Sequence, residues 1–362
     1  MSGLVYVDSN VNRSPYMKLL FRSHFLILGA LLLIGGMSTA CESDLARRIS
    51  QYEKTRDYQS AKDLLRRSIR SDPQNAEAHF MLGRIRMQQG NYEKGLSSLK
   101  SSRDLSAQYV DRIKFLKEKY AHKEFKKGKD ASSSGAYQKS IRHFRNVTLI
   151  QPSNASAHLA LGHVLTEAGM SRPAEEAYRT AIGINPTVEA LNNLSALSYQ
   201  RGAYRKAIQY SQRALDLDTD ASREARPELV TRVAYAHLQA EQFPKAQERF
   251  RQALEVGASR EVRRDFALAL YNRQKHGEAL PLLQRLAVPE DADRRLLHAL
   301  GDTYLSLEQP KEAVETYQRL HQENPQDADA LQSLVIAYQM MDREEKANAY
   351  LDQLNSLSNE GK

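Results

Sequence analysis

After residue 41 the apolar positions return with a period near 34 residues, marked by small and aromatic side chains at fixed places. Four stretches show it plainly. Ala155 opens one with Leu161, Gly162, Leu165, Gly169, Ala174, Tyr178, Ala181 and Pro186. Val188 opens the next with Leu194, Gly202, Tyr204, Ala207, Ala214 and Leu217. Pro227 opens another with Val233, Ala234, Phe243, Ala246, Phe250 and Ala253. Arg294 opens a fourth with Leu300, Gly301, Tyr304, Ala313, Tyr317, Leu320 and Pro325. The remaining units fall at 42–75, 76–109, 121–154, 260–293 and 328–361, which makes nine. Numbered from one within each unit, position 20 holds Ala61, Gly95, Ser140, Ala174, Ala207, Ala246, Ala279, Ala313 and Ala347. All are small, as two closely crossing helices require. Position 17 holds Tyr58, Tyr92, Tyr137, Tyr204 and Phe243, and the next buried site holds Phe144, Tyr178, Phe250, Leu283, Tyr317 and Leu351. An aromatic stripe at this spacing reads as core packing, and it accounts for the many tyrosines.

This pattern resembles the tetratricopeptide repeat. The resemblance implies an all-α chain, a right-handed α-solenoid of about nine helix-turn-helix units, and no room for a separate catalytic domain. The departures carry information. Arg48 and Lys127 stand where other units place an apolar residue. A polar outer face at Arg48 suits a terminal cap. Residues 110–120 lie outside the repeat blocks, yet Tyr109, Ile113, Phe115, Leu116 and Tyr120 have helical spacing. The segment 108–130 therefore reads as one long or broken helix, with residues 132–135 as its exit turn. The organisation expected is a leader over 1–41, a basic region of three units over 42–154 with its insert at 110–120, and six units over 155–361.

The leader has its own logic. Residues 23–41 carry no Asp, Glu, Lys or Arg, and Phe25 to Gly36 is an apolar and glycine run. Arg13, Lys18 and Arg22 precede it, and Ser38, Thr39, Ala40 and Cys41 follow. These are the parts of an export signal, with an apolar run short of a membrane span. Met17 reads as the better start. The end resembles a bacterial lipobox, which implies that Cys41 is lipidated and becomes N-terminal. Ser38 and Ala40 also suit an ordinary signal peptidase, and an uncleaved anchor is a third option. All three export the rest of the chain. With Glu42 after the cysteine, the resemblance favours an outer-membrane lipoprotein facing the periplasm.

Composition narrows the chemistry. At 41% hydrophobic the chain is no polytopic membrane protein, and its single cysteine excludes a disulfide framework. No phosphate loop, nucleophile elbow or HExxH occurs, and His158 and His163 are five apart, off one helix face. We therefore expect no catalytic residues, no metal and no cofactor. The net charge of +8 is uneven. Residues 42–154 hold 24 basic and 13 acidic residues, whereas 155–362 hold 25 and 30. The densest cluster is Lys114, Lys117, Lys119, Lys123, Lys126, Lys127 and Lys129. An exported location argues against nucleic acid, which leaves anionic lipid headgroups, an acidic partner, or a solvated helix face.

The resemblance implies that positions 2, 5, 6, 9 and 12 of each unit line a concave groove. Early in the chain these include Phe80, Met87 and Phe125; later they include Asn192, Asn193, Tyr199, Arg232, Tyr235, Arg264 and Tyr271. Asn can hold a ligand backbone, and Tyr and Arg are interaction hot-spot residues. The family's carboxylate clamp for C-terminal tails has no consecutive match here. The expectation is thus a non-enzymatic scaffold that binds a protein or peptide, not a small molecule. It would serve assembly of an envelope machine such as a pilus, secretion, outer-membrane or polysaccharide export apparatus. A regulatory or substrate-presenting subunit of an envelope glycan or peptidoglycan enzyme is the alternative.

Overall fold

The computed structural model describes residues 43–217, 226–287 and 293–360. The leader, with Met17 and Cys41, lies outside these residues. Everything regular within them is helical, and the helices come as nine hairpins. The first two pair α1 (Asp44–Lys54) with α2 (Tyr58–Ser71) and α3 (Ala76–Gln88) with α4 (Tyr92–Leu105). A short 3-10 turn, Ala107–Tyr109, leads into α5 (Val110–Ser133), which pairs with α6 (Tyr137–Ile150). Then follow α7 (Ala155–Glu167) with α8 (Ser171–Ile184), α9 (Val188–Gln200) with α10 (Tyr204–Leu217), and α11 (Arg226–Gln239) with α12 (Phe243–Glu255). The last three pair α13 (Arg260–Asn272) with α14 (His276–Leu286), α15 (Arg294–Ser306) with α16 (Pro310–Glu323), and α17 (Ala328–Met340) with α18 (Glu344–Glu360).

Each hairpin turns in the same way. Position 15 has left-handed backbone in all nine units: Arg56, Gly90, Gly135, Gly169, Gly202, Glu241, Gln274, Glu308 and Asp342. The next residue's N–H then bonds back to the carbonyl five residues earlier, as in Asn91 to Arg86 at 2.9 Å and Gln309 to Tyr304 at 2.8 Å. This closes the end of the first helix and aims the second one back along it. Many first helices open on a side-chain cap, among them Asn75, Asn154, Ser259 and Asp327, each accepting from a backbone N–H of the first turn.

The crossing point is as tight as the small residues demand. All nine position-20 residues are buried. Position 8 of the first helix faces position 24 of the second, and here space is exchanged across the pair. A Cβ added at Gly162 would sit 2.6 Å from the Tyr178 ring, and one at Gly301 2.5 Å from the Tyr317 ring. Gly128 faces Phe144 in the same way, and Gly83 faces Leu99. Where both sides are small, polar bonds fill the gap: the Ser195 hydroxyl bonds Ser211 at 2.6 Å and the Ala207 carbonyl at 2.8 Å.

The chain divides into two compact units between Tyr120 and Ala121, inside the 24-residue α5. In the N-terminal unit, Tyr109, Ile113, Leu116 and Tyr120 are buried. Tyr109 stacks on Phe80 with centroids 5.0 Å apart, and Tyr120 meets Tyr92 at 6.1 Å. Residues 110–120 are therefore a third first-type helix laid beside α3, not a free insert. In the C-terminal unit the rest of α5 packs on α6: Ser140 donates to the Gly128 carbonyl at 2.7 Å, and Phe125 meets Phe144 edge-on. The helix is long and unbroken because it has two such tasks, and it ends three residues beyond the expected 130. Arg48 and Lys127 are exposed, as a polar residue at that position should be.

Within the helical spacing of 109–120 the buried residues are 109, 113, 116 and 120, and Phe115 is 68% exposed. Two readings need correction. Met87 is fully buried, and its side chain fills the space over Gly95 rather than a groove. Leu351, placed by its position at a buried site, is exposed on α18.

Two substitutions test the register. Ala246→Leu should lower stability by about 1–3 kcal/mol through overpacking. Gln274→Gly should raise it by up to about 1 kcal/mol by relieving the left-handed backbone. Denaturant unfolding followed by circular dichroism reads both; an indifferent Ala246→Leu would mean the crossing point lies elsewhere.

Candidate partner-binding groove

In the C-terminal unit, successive first helices touch one another: α7 with α9, α9 with α11, α13 with α15, and α15 with α17. Their outward positions therefore form one continuous surface, and the seven groove residues named from the sequence all lie on α9, α11 and α13. All seven are half-buried.

Most of them are already engaged, and with the neighbouring repeat. Arg232 donates to the Asn192 backbone carbonyl at 2.8 Å and to its side-chain oxygen, and also pairs with Glu228 at 2.5 Å. Tyr235 donates to Asp265 at 2.7 Å, and Arg264 pairs with the same carboxylate at 3.1 Å. Tyr271 donates to Asp302 at 2.5 Å, while Tyr317 occupies that carboxylate's other oxygen. Tyr199 instead packs edge-on against Tyr204 at the start of its own second helix. The Asn193 side chain makes no hydrogen bond among the described residues. Sequence reasoning picked the donors and missed the acceptors, Asp265 and Asp302. Their signal was available, since each carboxylate follows its tyrosine by 30 or 31 residues, one repeat later.

The electrostatics follow from these bonds. Burial and then the hydrogen bond to Asp302 push the Tyr271 phenol up to about 12 from an ordinary 10. Burial and Asp265 act the same way on Tyr235, and burial and Asp302 on Tyr317. Farther along, burial would raise Asp327, but Arg294, the Ala330 N–H and His298 outweigh it and hold the carboxyl low. Arg294 lies 2.6 Å and His298 3.0 Å from Asp327.

Upstream on the same face, Phe125, Phe144, Leu159, Ala160 and Val164 line an apolar trough of about 390 Å³, with Lys129, His163 and Glu189 at its rim. Phe125 thus lies where the sequence put it. Phe80, by contrast, is buried beneath Tyr109 and Arg112. His158 donates to the Pro152 carbonyl at 2.9 Å and so ties down its own loop. The seven lysines of the basic cluster are spread around the exposed arc of α5: Lys114, Lys117 and Lys119 in the N-terminal unit, and Lys123, Lys126, Lys127 and Lys129 in the C-terminal one. Lys127 pairs with the buried Glu124 at 3.0 Å.

Tetratricopeptide repeat models match residues 49–109, 159–222, 233–294 and 294–337. The chain belongs to the tetratricopeptide repeat family. No curated protein matches the sequence. Among solved structures, this tetratricopeptide repeat chain is similar to pilF of Pseudomonas aeruginosa at 21% identity, covering 59% of this chain and 96% of that one with a TM-score of 0.44. It is also similar to MamA of strain MSR-1 at 17% identity, covering 48% and 98% with a TM-score of 0.40. MamA of strain AMB-1 is 18% identical, over 48% and 92%, with a TM-score of 0.41. As a tetratricopeptide repeat protein the chain is a scaffold for protein–protein interaction, a fold typical of proteins without enzymatic activity.

The tyrosine–carboxylate bonds give a pH signature. Tyr271 holds its proton more tightly when folded than when unfolded, so its contribution is complete below pH 10 and is lost as pH rises through 12. Thermal melts across that window should show falling stability. Tyr271→Phe should remove part of the slope, and an unchanged slope would exclude the titration of Tyr271 as its source.

Proposed function

We propose that the protein is a lipid-anchored docking scaffold of the bacterial cell envelope. It binds an extended segment of a partner protein along the first-helix surface of α9, α11 and α13, and it brings components of an envelope assembly together. The anchor is read from Ser38, Thr39, Ala40 and Cys41 behind the apolar run. The leader's basic residues precede that run, which favours export of everything after it. An outer-membrane position facing the periplasm follows the residue after the cysteine, Glu42.

The observation that carries the docking reading is the ladder of bonds between repeats: Arg232 to Asn192, Tyr235 to Asp265, and Tyr271 to Asp302. Polar groups that hold successive helices in register fix the spacing of the surface before any partner arrives. A partner then loses its own freedom but does not have to order the receptor as well. Between the rungs the surface keeps half-buried leucines, among them Leu238 and Leu268, and the uncommitted amide of Asn193. Apolar contact with a few polar groups that fix orientation is what peptide capture needs.

Two experiments separate the halves of the proposal. Metabolic labelling with a fatty-acid analogue should mark the wild-type chain and not Cys41→Ala; persistent label on the variant would end the lipid assignment. Asn193→Arg and Ala196→Arg place a long cation on the surface without touching the ladder. Each should abolish co-purification of the partners recovered with the wild-type chain from its host, with helicity unchanged. Full retention by both would move the docking surface elsewhere.

A further inference from the structure

The N-terminal unit carries a recess with a different chemistry. Phe80, Arg84, Asp111, Arg112, Phe115, Leu116 and Lys119 line a cavity of about 450 Å³ between α3 and the first turns of α5. Its floor is apolar and fixed: Phe80 and Leu116 are buried, and Phe80 is clamped by the stacked ring of Tyr109. The Arg112 guanidinium lies 4.5 Å above the Phe80 ring, which holds this cation at the mouth. Lys119 is exposed on the other side. Among the described residues neither Arg112 nor Lys119 is in an ion pair, and the Nε of Arg84 is buried with no hydrogen-bond partner. Arg84 otherwise pairs with Glu53 at 2.8 Å. At this recess stands Phe115, the most exposed large hydrophobic side chain among the described residues at 68%.

An apolar floor between cations sets two demands on whatever covers it. The occupant must offer a bulky apolar group to the exposed ring of Phe115 above the apolar floor, and it must carry negative charge on either side of that group. The recess is concave and has room for a large side chain, which a flat bilayer surface would not supply. We propose that this cavity seats one aromatic or large aliphatic side chain of an acidic segment of a partner protein, with its flanking carboxylates on Arg112 and Lys119. The proposal rests on the reading of the chain as a partner-binding scaffold, but the site is separate from the ladder groove and opposite to it in character. There the cations Arg232 and Arg264 are neutralised by Glu228 and Asp265. Here Arg84 is matched by Glu53 and Asp111 adds one carboxylate, but Arg112 and Lys119 are in no ion pair among the described residues and leave the mouth positive. One chain would thus hold two partner segments of different composition.

The test uses the full chain in phosphatidylcholine nanodiscs and a fluorescein-labelled peptide with a central Phe flanked on both sides by Glu. Fluorescence anisotropy should show saturable, salt-weakened binding. Binding should vanish when the peptide's Phe is replaced by Ala or its Glu residues by Lys. Arg112→Gln with Lys119→Gln should weaken it about tenfold, and Arg112→Lys should restore most of that loss. Lys119→Gln alone, at an exposed position, gives the same direction should the double variant fold poorly. Asn193→Arg should leave this peptide's affinity unchanged, so failure here and failure of the ladder groove are told apart. The sequence contains no Trp, so Phe115→Trp supplies a single reporter, and its emission should move to the blue as the peptide saturates. Absence of saturable binding by the wild-type chain would overturn the proposal, as would indifference to the charge substitutions. So would a blue shift produced by phosphatidylglycerol nanodiscs alone, with no further change on adding peptide, because the face would then be lipid-facing.

Discussion

Two helices of a repeat can lie side by side only where one of them gives up volume to the other. At Gly162 and Gly301 the first helix offers no side chain at all, and the rings of Tyr178 and Tyr317 occupy the space a Cβ would need. Gly128 yields to Phe144 and Gly83 to Leu99, whereas Ser195 and Ser211 divide the gap and bond across it. The position-20 residues repeat the demand from the second helix. Interior packing leaves no slack for a methyl group at such a crossing, so this exchange sets the distance and angle of each hairpin. Everything outward follows. Once the hairpins are alike they stack, once they stack their first helices meet, and only then does a continuous surface exist for a partner to use.

That surface is held by polar bonds as well as by packing. Tyr235 and Asp265, and Tyr271 and Asp302, join residues one repeat apart, and Tyr317 closes the second pair from below. Such bonds contribute little net stability each, but a buried partner left alone costs more than the bond gained. They therefore act against alternative registers between repeats. The groove is the more rigid for having used its most conspicuous residues internally. Charge then distinguishes the two units. Among the described residues, Arg112 and Lys119 at the recess are in no ion pair, whereas the ladder groove has carboxylates matched to phenols and guanidinium groups.

Much of this was legible in the sequence because the packing constraint is strict. A small residue at position 20 has few alternatives, so its spacing reported the nine hairpins directly, and a ring or leucine at position 24 supported it in all but one. The left-handed turn residue was legible only where it is glycine. At Arg56, Glu241, Gln274, Glu308 and Asp342 the helix-closing hydrogen bond imposes the conformation on a residue that does not advertise it. Phe115 shares the helical spacing of 109–120 but not its burial, because apolar spacing alone cannot say which side of a helix is covered. Met87 was placed in the groove by its position number, but the glycine at position 20 of its own unit drew it inward. The acceptors Asp265 and Asp302 were overlooked because single-residue reading asks which types bind partners. The geometry instead asks which residue stands one repeat away.

The central claim is that glycine and ring share one volume at the helix crossing, and a double-mutant cycle on Gly301 and Tyr317 tests it most directly. Gly301→Ala and Tyr317→Leu should each destabilise the chain. The double variant should lose at least about 1 kcal/mol less than the sum, because the smaller side chain makes room for the new methyl group. Any bond lost from the tyrosine hydroxyl cancels in the cycle. Strict additivity of the two losses would contradict the account.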